Sequence, residues 1–515
     1  MNLKQYTYRI IPVAFFLSYI ILGTGLHGDD FATINQFKDW TFLKWVIPSI
    51  ENHEIFLIYF PGFLLLHWNY LLSGLDYLFF YDLIKILVHL IAIFFVYKFF
   101  QDFMTKDRAL IASLFFLLNP AHDSTIFWYM CLTYVMAASL IMYSFNRINH
   151  DKNISGFIFG LIGSFSFYSS PPFVLGLSTY FFLKKDYKKA VIFITPGILF
   201  ISYYIFLMIY TVGVEQRIDS GLGLDAISKN FFLQIFSLID SLLGPNYFIK
   251  IYHSIGLLSI DSFMIIFIVI IGLAASSPIS KSKKINKYLL AGIIAVLVIS
   301  FLIYSLTGLY NHSTFNLGNR STLYGSLLIA YLIGNLIPSN KTITTIIILM
   351  FLVLPNLGLS NHWKDWNKNQ LQVIKTMDAK FELLDFERKT LVIVKGNLYS
   401  KLGNFSHIEF LIMPWNFKHL EKENVKFFPL SNYLSVDKNK LLDSKWDNKY
   451  ILDSDILLYD TELSELGFIT KDELIETINS TENIQRHWIQ SLKGTRLEAF
   501  LIKIYPRIEY LFDKN

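Results

Sequence analysis

The sequence predicts a polytopic α-helical membrane protein with a C-terminal α/β domain, and three observations carry that prediction. The 515 residues are 53% apolar and only 17% charged, with a mean hydropathy of +0.43, whereas soluble domains carry about a quarter charged residues. The shortfall is uneven, because residues 360–515 hold 22 of the 45 Lys and Arg and 23 of the 40 Asp and Glu. The part before residue 360 is a succession of apolar runs whose short loops carry a basic excess. That pattern speaks for membrane orientation rather than nucleic-acid binding.

A helical span needs about 20 mainly apolar residues, since lipid satisfies no unpaired backbone group. Eleven runs qualify as candidates, near 9–26, 78–100, 108–119, 125–146, 155–168, 170–183, 190–211, 256–274, 288–306, 321–337 and 342–359. Several are short. The first has a basic flank (Lys4, Arg9) like a signal sequence, but it runs into GLHGDD without a small-residue cleavage site and reads as an uncleaved span. With the N-terminus cytoplasmic, the inner loops hold sixteen Lys and Arg and the outer loops before residue 360 hold six. That alternation follows the positive-inside rule, and an odd span count then puts the C-terminal domain outside. The expected location is the plasma membrane, a bacterial inner membrane, crossed many times.

The run 55–75 is as apolar as a span, yet counting it would invert every later loop. It is assigned to the first outer loop, 27–77, as a helix in the interface, where His67, Trp68 and Tyr70 suit headgroup depth. An ordinary span with a twelfth elsewhere is the alternative. The predicted domains are therefore 1–359 in the membrane and 360–515 in water. In the second, apolar runs shrink to strand length, as in TLVIV (390–394) and DILLYD (455–460), and a helical segment with a polar face follows at 471–492.

The outer loops gather the unusual polar groups. Asp29 and Asp30 directly follow the first span, and an outward carboxylate there can act as general base toward an acceptor hydroxyl. An ordinary hydrated loop start is the plainer reading. Arg320 closes the outer loop TGLYNHSTFNLGNR; its charged fork suits phosphate oxygens, although a snorkelling anchor has the same sequence. In NPAHDSTIFW (119–128), His122 and Asp123 are candidates for contact with acceptor or donor, while Asp123 or Ser124 would equally cap a helix. Within the second span, Lys85 lies three residues after Asp82, where the two can pair on one helical face. His27, His67, His122, His253 and His312 are scattered without metal-ligand spacing, so no metal site is assigned, and a divalent metal requirement has no support in the sequence. The single cysteine, Cys131, excludes an internal disulfide. The phosphate-binding loop, the dinucleotide fingerprint and the nucleophile elbow are all missing, which argues against a soluble-nucleotide enzyme.

In order along residues 10–330, four segments resemble the motifs of the GT-C superfamily of polytopic glycosyltransferases, in its protein O-mannosyltransferase-like branch. HGDDFATIN resembles the acidic first-loop motif, with Asp29 and Asp30 as its acidic pair and Asn35 its later Asn. The segment opening at YFPGF and running to His89 resembles the paired helices that follow. NPAHDSTIFW resembles the His-Pro-x-His-x-Glu motif, and GNRSTLYGS the late Arg-x-x-x-Tyr motif, placing Arg320 and Tyr324. The resemblance implies Asp29 or Asp30 as catalytic base, Arg320 with Tyr324 at the donor phosphate, and contacts from Asn35, His67, His122 and Asp123. It implies a polyprenyl-linked sugar donor in the lipid, an extracytoplasmic acceptor, and no nucleic acid. Three departures stand out. Asn119 replaces the first His, Ser124 stands at the Glu position with Asp123 one place early, and Ser170-Pro171 occupies the place of a Lys-Glu pair.

Three functions follow from these features. The first is inverting transfer of a sugar from a polyprenyl-phosphate or -diphosphate to an external acceptor. A lipid-linked glycan flippase would favour ionisable groups deep in the spans and an internal repeat, and the sequence shows only Asp82 and Lys85 and no repeat. An inactive scaffold for cell-envelope glycan assembly draws its support from the three departures.

Overall fold

The computed structural model describes residues 3–31, 34, 78–210, 223–275, 279–307, 312–382, 384, 386–412, 414–417, 420, 424–430, 455–480, 487–504 and 512. They fall into two compact units. The first lies within 1–25, 38–314 and 318–362, and the second within 26–37, 315–317 and 363–515. Asn35, His67 and the run 55–75 lie outside the described residues.

The first unit is helical. Its elements are α1 (Leu3–Ile21), α2 (Phe79–Gln101), α3 (Lys106–Leu117), α4 (Leu132–Asn149), α5 (Asn153–Ser164), α6 (Pro171–Leu183), α7 (Tyr187–Tyr210), α8 (Leu224–Leu243), α9 (Pro245–Ile255), α10 (Ile260–Ala275), α11 (Lys287–Thr307), α12 (Leu323–Leu336) and α13 (Lys341–Ile348). A π-helical turn, Leu349–Val353, joins α13 to α14 (Leu354–Glu382). By length and composition, five helical stretches among the described residues can cross a membrane: Phe79–Gln101, Tyr187–Phe206, Leu224–Ile255, Lys287–Thr307 and Lys341–Glu382. Shorter apolar helices accompany them, including Asn153–Ser164 and Pro171–Leu183.

Three details of the helices bear on the expected spans and boundary. The run 125–146 is broken, because residues 120–131 form short turns and α4 begins only at Leu132. The predicted loop after residue 211 contains the α8–α9 pair, whose apolar face had been hidden by its four charged residues, Asp225, Lys229, Asp240 and Lys250, together with His253. The predicted boundary at 359/360 falls inside α14, whose residues to 362 belong to the first unit and whose later residues belong to the second. A change of composition need not interrupt a helix, since helical hydrogen bonds are local and indifferent to which solvent the side chains meet.

The first unit exposes apolar side chains and buries polar ones on a single helix. On α2, Leu83, Leu87, Ile91 and Phe94 are exposed, while Asp82, Lys85 and His89 on the opposite face are buried. Water would select the reverse arrangement. Close helix contacts depend on small residues, as lipid-embedded packing requires. Helix α6 lies against α11, and a Cβ at Gly176 would collide with the backbone of Val296.

The second unit carries a four-stranded sheet of order β4-β1-β5-β6, from β1 (Thr390–Lys395), β4 (Val425–Pro429), β5 (Asp455–Asp460) and β6 (Glu465–Phe468). Strand β1 runs parallel to β4 and β5, and β6 closes the edge antiparallel to β5. A hairpin of β2 (Tyr399–Leu402) and β3 (Phe405–Glu409) forms a separate sheet. The continuous apolar run of β1 suits a central parallel strand covered on both faces. Ile393, Phe428, Leu430, Ile456 and Leu474 make the core, the last from α15 (Lys471–Ser480); α16 (Arg496–Ile504) follows. This matches the predicted α/β character and both quoted strands.

Candidate functional site

In the first unit the loop 119–131 is a hub for three polar clusters. The first cluster secures the end of α1. Gly23 and Gly25 have φ of 90° and 61°, a region L side chains avoid, and their N–H groups donate to the Asp82 carboxylate at 2.6 and 2.9 Å. Lys85 pairs with Asp82 at 2.8 Å. It also donates to Thr24 Oγ1 at 2.6 Å, to the Gly25 carbonyl at 2.7 Å and to the Phe127 carbonyl at 3.0 Å. The expected pairing on α2 is present, and it serves as a fully bonded clasp.

The second cluster belongs to Asp123. It makes no side-chain cap to the turn of helix at Ser124–Phe127. Instead its Oδ1 accepts from Lys250 on α9 at 2.7 Å, with both side chains fully buried, and from Asn319 Nδ2 at 2.5 Å. Lys250 also donates to the Thr314 carbonyl at 2.6 Å, and the Ser124 hydroxyl donates to Asn319 Oδ1. Asn119 caps the preceding 3-10 turn, Pro120–His122, its side chain accepting from the Ala121 N–H at 3.0 Å. His122 is also turned inward, with Nδ1 against Thr125 Oγ1 at 2.8 Å and Nε2 against the Phe116 carbonyl at 3.0 Å. Burial pushes its pKa down to about 4, so it is neutral at physiological pH.

The third cluster surrounds Arg320, which Asn319 directly precedes. The guanidinium is half-buried. It lies over the Trp128 ring at 5.3 Å, and its Nε donates to the Tyr134 hydroxyl at 3.1 Å. Tyr134 in turn meets the Tyr168 hydroxyl at 3.3 Å. Tyr324 is fully buried, donates its hydroxyl to the Ser169 carbonyl at 2.7 Å and stacks on Phe173. His312 lies between the rings of Phe301 and Tyr304, and burial pushes its pKa down to about 3.

Asp29 and Asp30 belong to the second unit, so the first unit holds Arg320, Tyr324, His122 and Asp123 without them. The neighbouring carboxylates have different surroundings. Asp30 is buried, and its Oδ2 accepts from the His27 N–H at 2.9 Å while its own N–H donates to the His27 carbonyl at 3.0 Å. Asp29 is exposed, with its Oδ1 taking a hydrogen bond from Asn416 Nδ2 at 3.1 Å. Among the described residues, no group of three or more His, Cys, Asp or Glu side chains is gathered to hold a metal ion.

Comparison with known proteins adds nothing to these clusters. No family model, curated protein or solved structure matches the chain.

Sequence reasoning missed Lys250, Asn319, Gln370 and Asn416. A signal existed for the first. Asn246, Lys250 and Ser254 recur every fourth residue of α9 and form a polar stripe opposite Phe248 and Tyr252. For Gln370 and Asn416 the sequence offers no spacing or motif that marks them.

Proposed function

We propose that this chain is a membrane glycosyltransferase that moves a sugar, with inversion, from a polyprenyl-phosphate or -diphosphate donor to an acceptor hydroxyl outside the cytoplasm. The observation that supports it best is the setting of Arg320. Its guanidinium is set against an indole and a phenol, groups that orient the flat charged fork suited to phosphate oxygens. A polyprenyl phosphate is an anion suited to lipid.

In this reading the acceptor oxygen attacks the anomeric carbon while an aspartate takes its proton. The bond from that carbon to the phosphate oxygen breaks, and the lipid phosphate leaves with the electron pair. Arg320 stabilises the departing charge. Exposure favours Asp29 as the base, since Asp30 holds its own turn. Tyr324, His122 and Asp123 shape and stiffen the surroundings of Arg320.

Transfer of a radiolabelled sugar from polyprenyl-linked donors, measured in membranes containing the full chain, tests this. Asp29→Asn should reduce the rate by about 10²-fold or more, and Arg320→Ala should do the same, with normal insertion of both. Undiminished transfer in Asp29→Asn, Asp30→Asn and the double variant would remove the proposed base.

A further inference from the structure

The acidic turn is gripped almost residue by residue by the part of the chain that follows residue 362. Asn367 on α14 donates to the Leu26 carbonyl at 2.9 Å. One turn further along α14, the buried Gln370 meets two successive residues. Its amide nitrogen donates to His27 Nδ1 at 2.6 Å, and its amide oxygen accepts from the Gly28 N–H at 3.4 Å. The His27 ring rests edge-on against Trp363 at 4.5 Å, and Trp363 faces His407 of β3 at 6.1 Å. Phe31 lies edge-on against Phe410 at 5.9 Å. Asp29 takes its hydrogen bond from Asn416, which is buried in the turn Pro414–Phe417. All these residues belong to one compact unit.

We propose that Gln370 and Asn416 are positioning residues for Asp29, so that the chain after residue 362 sets the carboxylate of the proposed base. The inference rests on the reading of Asp29 as the base. Gln370 sets the backbone at 27–28, from which the carboxylate projects, and Asn416 sets the carboxylate itself. Both use a carboxamide, which donates without adding a charge that would compete with the acceptor or the donor phosphate. Displacement of a catalytic group by about 1 Å costs on the order of 10²-fold in rate. The loss should therefore fall on kcat.

The full-length protein in lipid nanodiscs is assayed with Asn416→Asp and Gln370→Glu, which keep shape and remove the donor. The expected result is a drop in kcat of about 10- to 100-fold with the donor KM within about twofold, unchanged thermal unfolding, and partial recovery in Asn416→Gln. Full kcat in both isosteric variants overturns the proposal, as does a loss that follows unfolding or donor KM. A second measurement needs no activity. Asp29→Cys paired with Asn416→Cys should cross-link with a short bifunctional methanethiosulfonate in the folded chain and not in denaturant, the native Cys131 being buried. Absence of the cross-link overturns the contact itself. Cross-linking of this variant, alongside a wild-type chain that transfers no sugar, overturns the enzyme reading, and the positioning role with it, while the contact stands.

Discussion

The two units differ in the polar groups they bury and the apolar groups they expose. In the first, the interior holds Asp82, Lys85, His89, Asp123 and Lys250 while Leu87, Ile91 and Phe94 face outward. In the second, the sheet core is Ile393, Phe428, Leu430, Ile456 and Leu474, and charged pairs such as Asp365 with Lys368 stand at the surface. The difference is what lipid around the first unit and water around the second would select. Outward apolar side chains cost nothing against lipid, and a polar group there is stable only inside, bonded to partners. In water the apolar groups must be hidden instead.

The largest expected effect comes from breaking an internal pair of the first unit. Lys250→Met leaves Asp123 buried without its ammonium partner and should destabilise by about 3–5 kcal/mol, read as loss of folded protein in detergent. The Lys250→Met/Asp123→Leu double variant should recover part of that loss. A double variant no better than the single would show that the network with Asn319 and Thr314, rather than the charge pair, dominates.

An intermediate effect separates the two surroundings directly. Ile91 and Phe468 are both exposed, at 53% and 75%. Ile91→Lys should impair membrane insertion by about 2.5–3.5 kcal/mol, whereas Phe468→Lys should change stability by no more than about 0.5 kcal/mol. Equal tolerance of both would mean that the outward face of α2 meets water. The smallest effect belongs to the solvated pair of the second unit. Lys368→Ala should cost about 0–1 kcal/mol, less in salt, by the shift in thermal unfolding. A larger loss would place that pair in the interior.

Much of the site was legible as residue types and little of it as partnerships. The Asp82–Lys85 pair could be read because its members are three residues apart on one helix, where spacing alone fixes proximity. Asp123 and Lys250 lie 127 positions apart, so no local rule joins them, and Asp123 looked like a helix cap. Asp29 and Asp30 were indistinguishable as neighbours in the chain. Only the turn that places one carboxylate over the His27 N–H and leaves the other exposed tells them apart.

The sequence by itself determined the class of the molecule: apolar helices before residue 360, a more charged α/β region after it, and the set of residues able to carry charge or bind phosphate. These depend on composition and period, which are properties of the chain alone. The tertiary structure decided what each of those groups touches. It carried α14 across the change of composition, tied Asp123 to Lys250, and assigned the acidic turn to the unit that holds Gln370 and Asn416. Such pairings depend on three-dimensional closure between segments hundreds of residues apart, and the energy of a buried polar group is set by the partner that closure supplies.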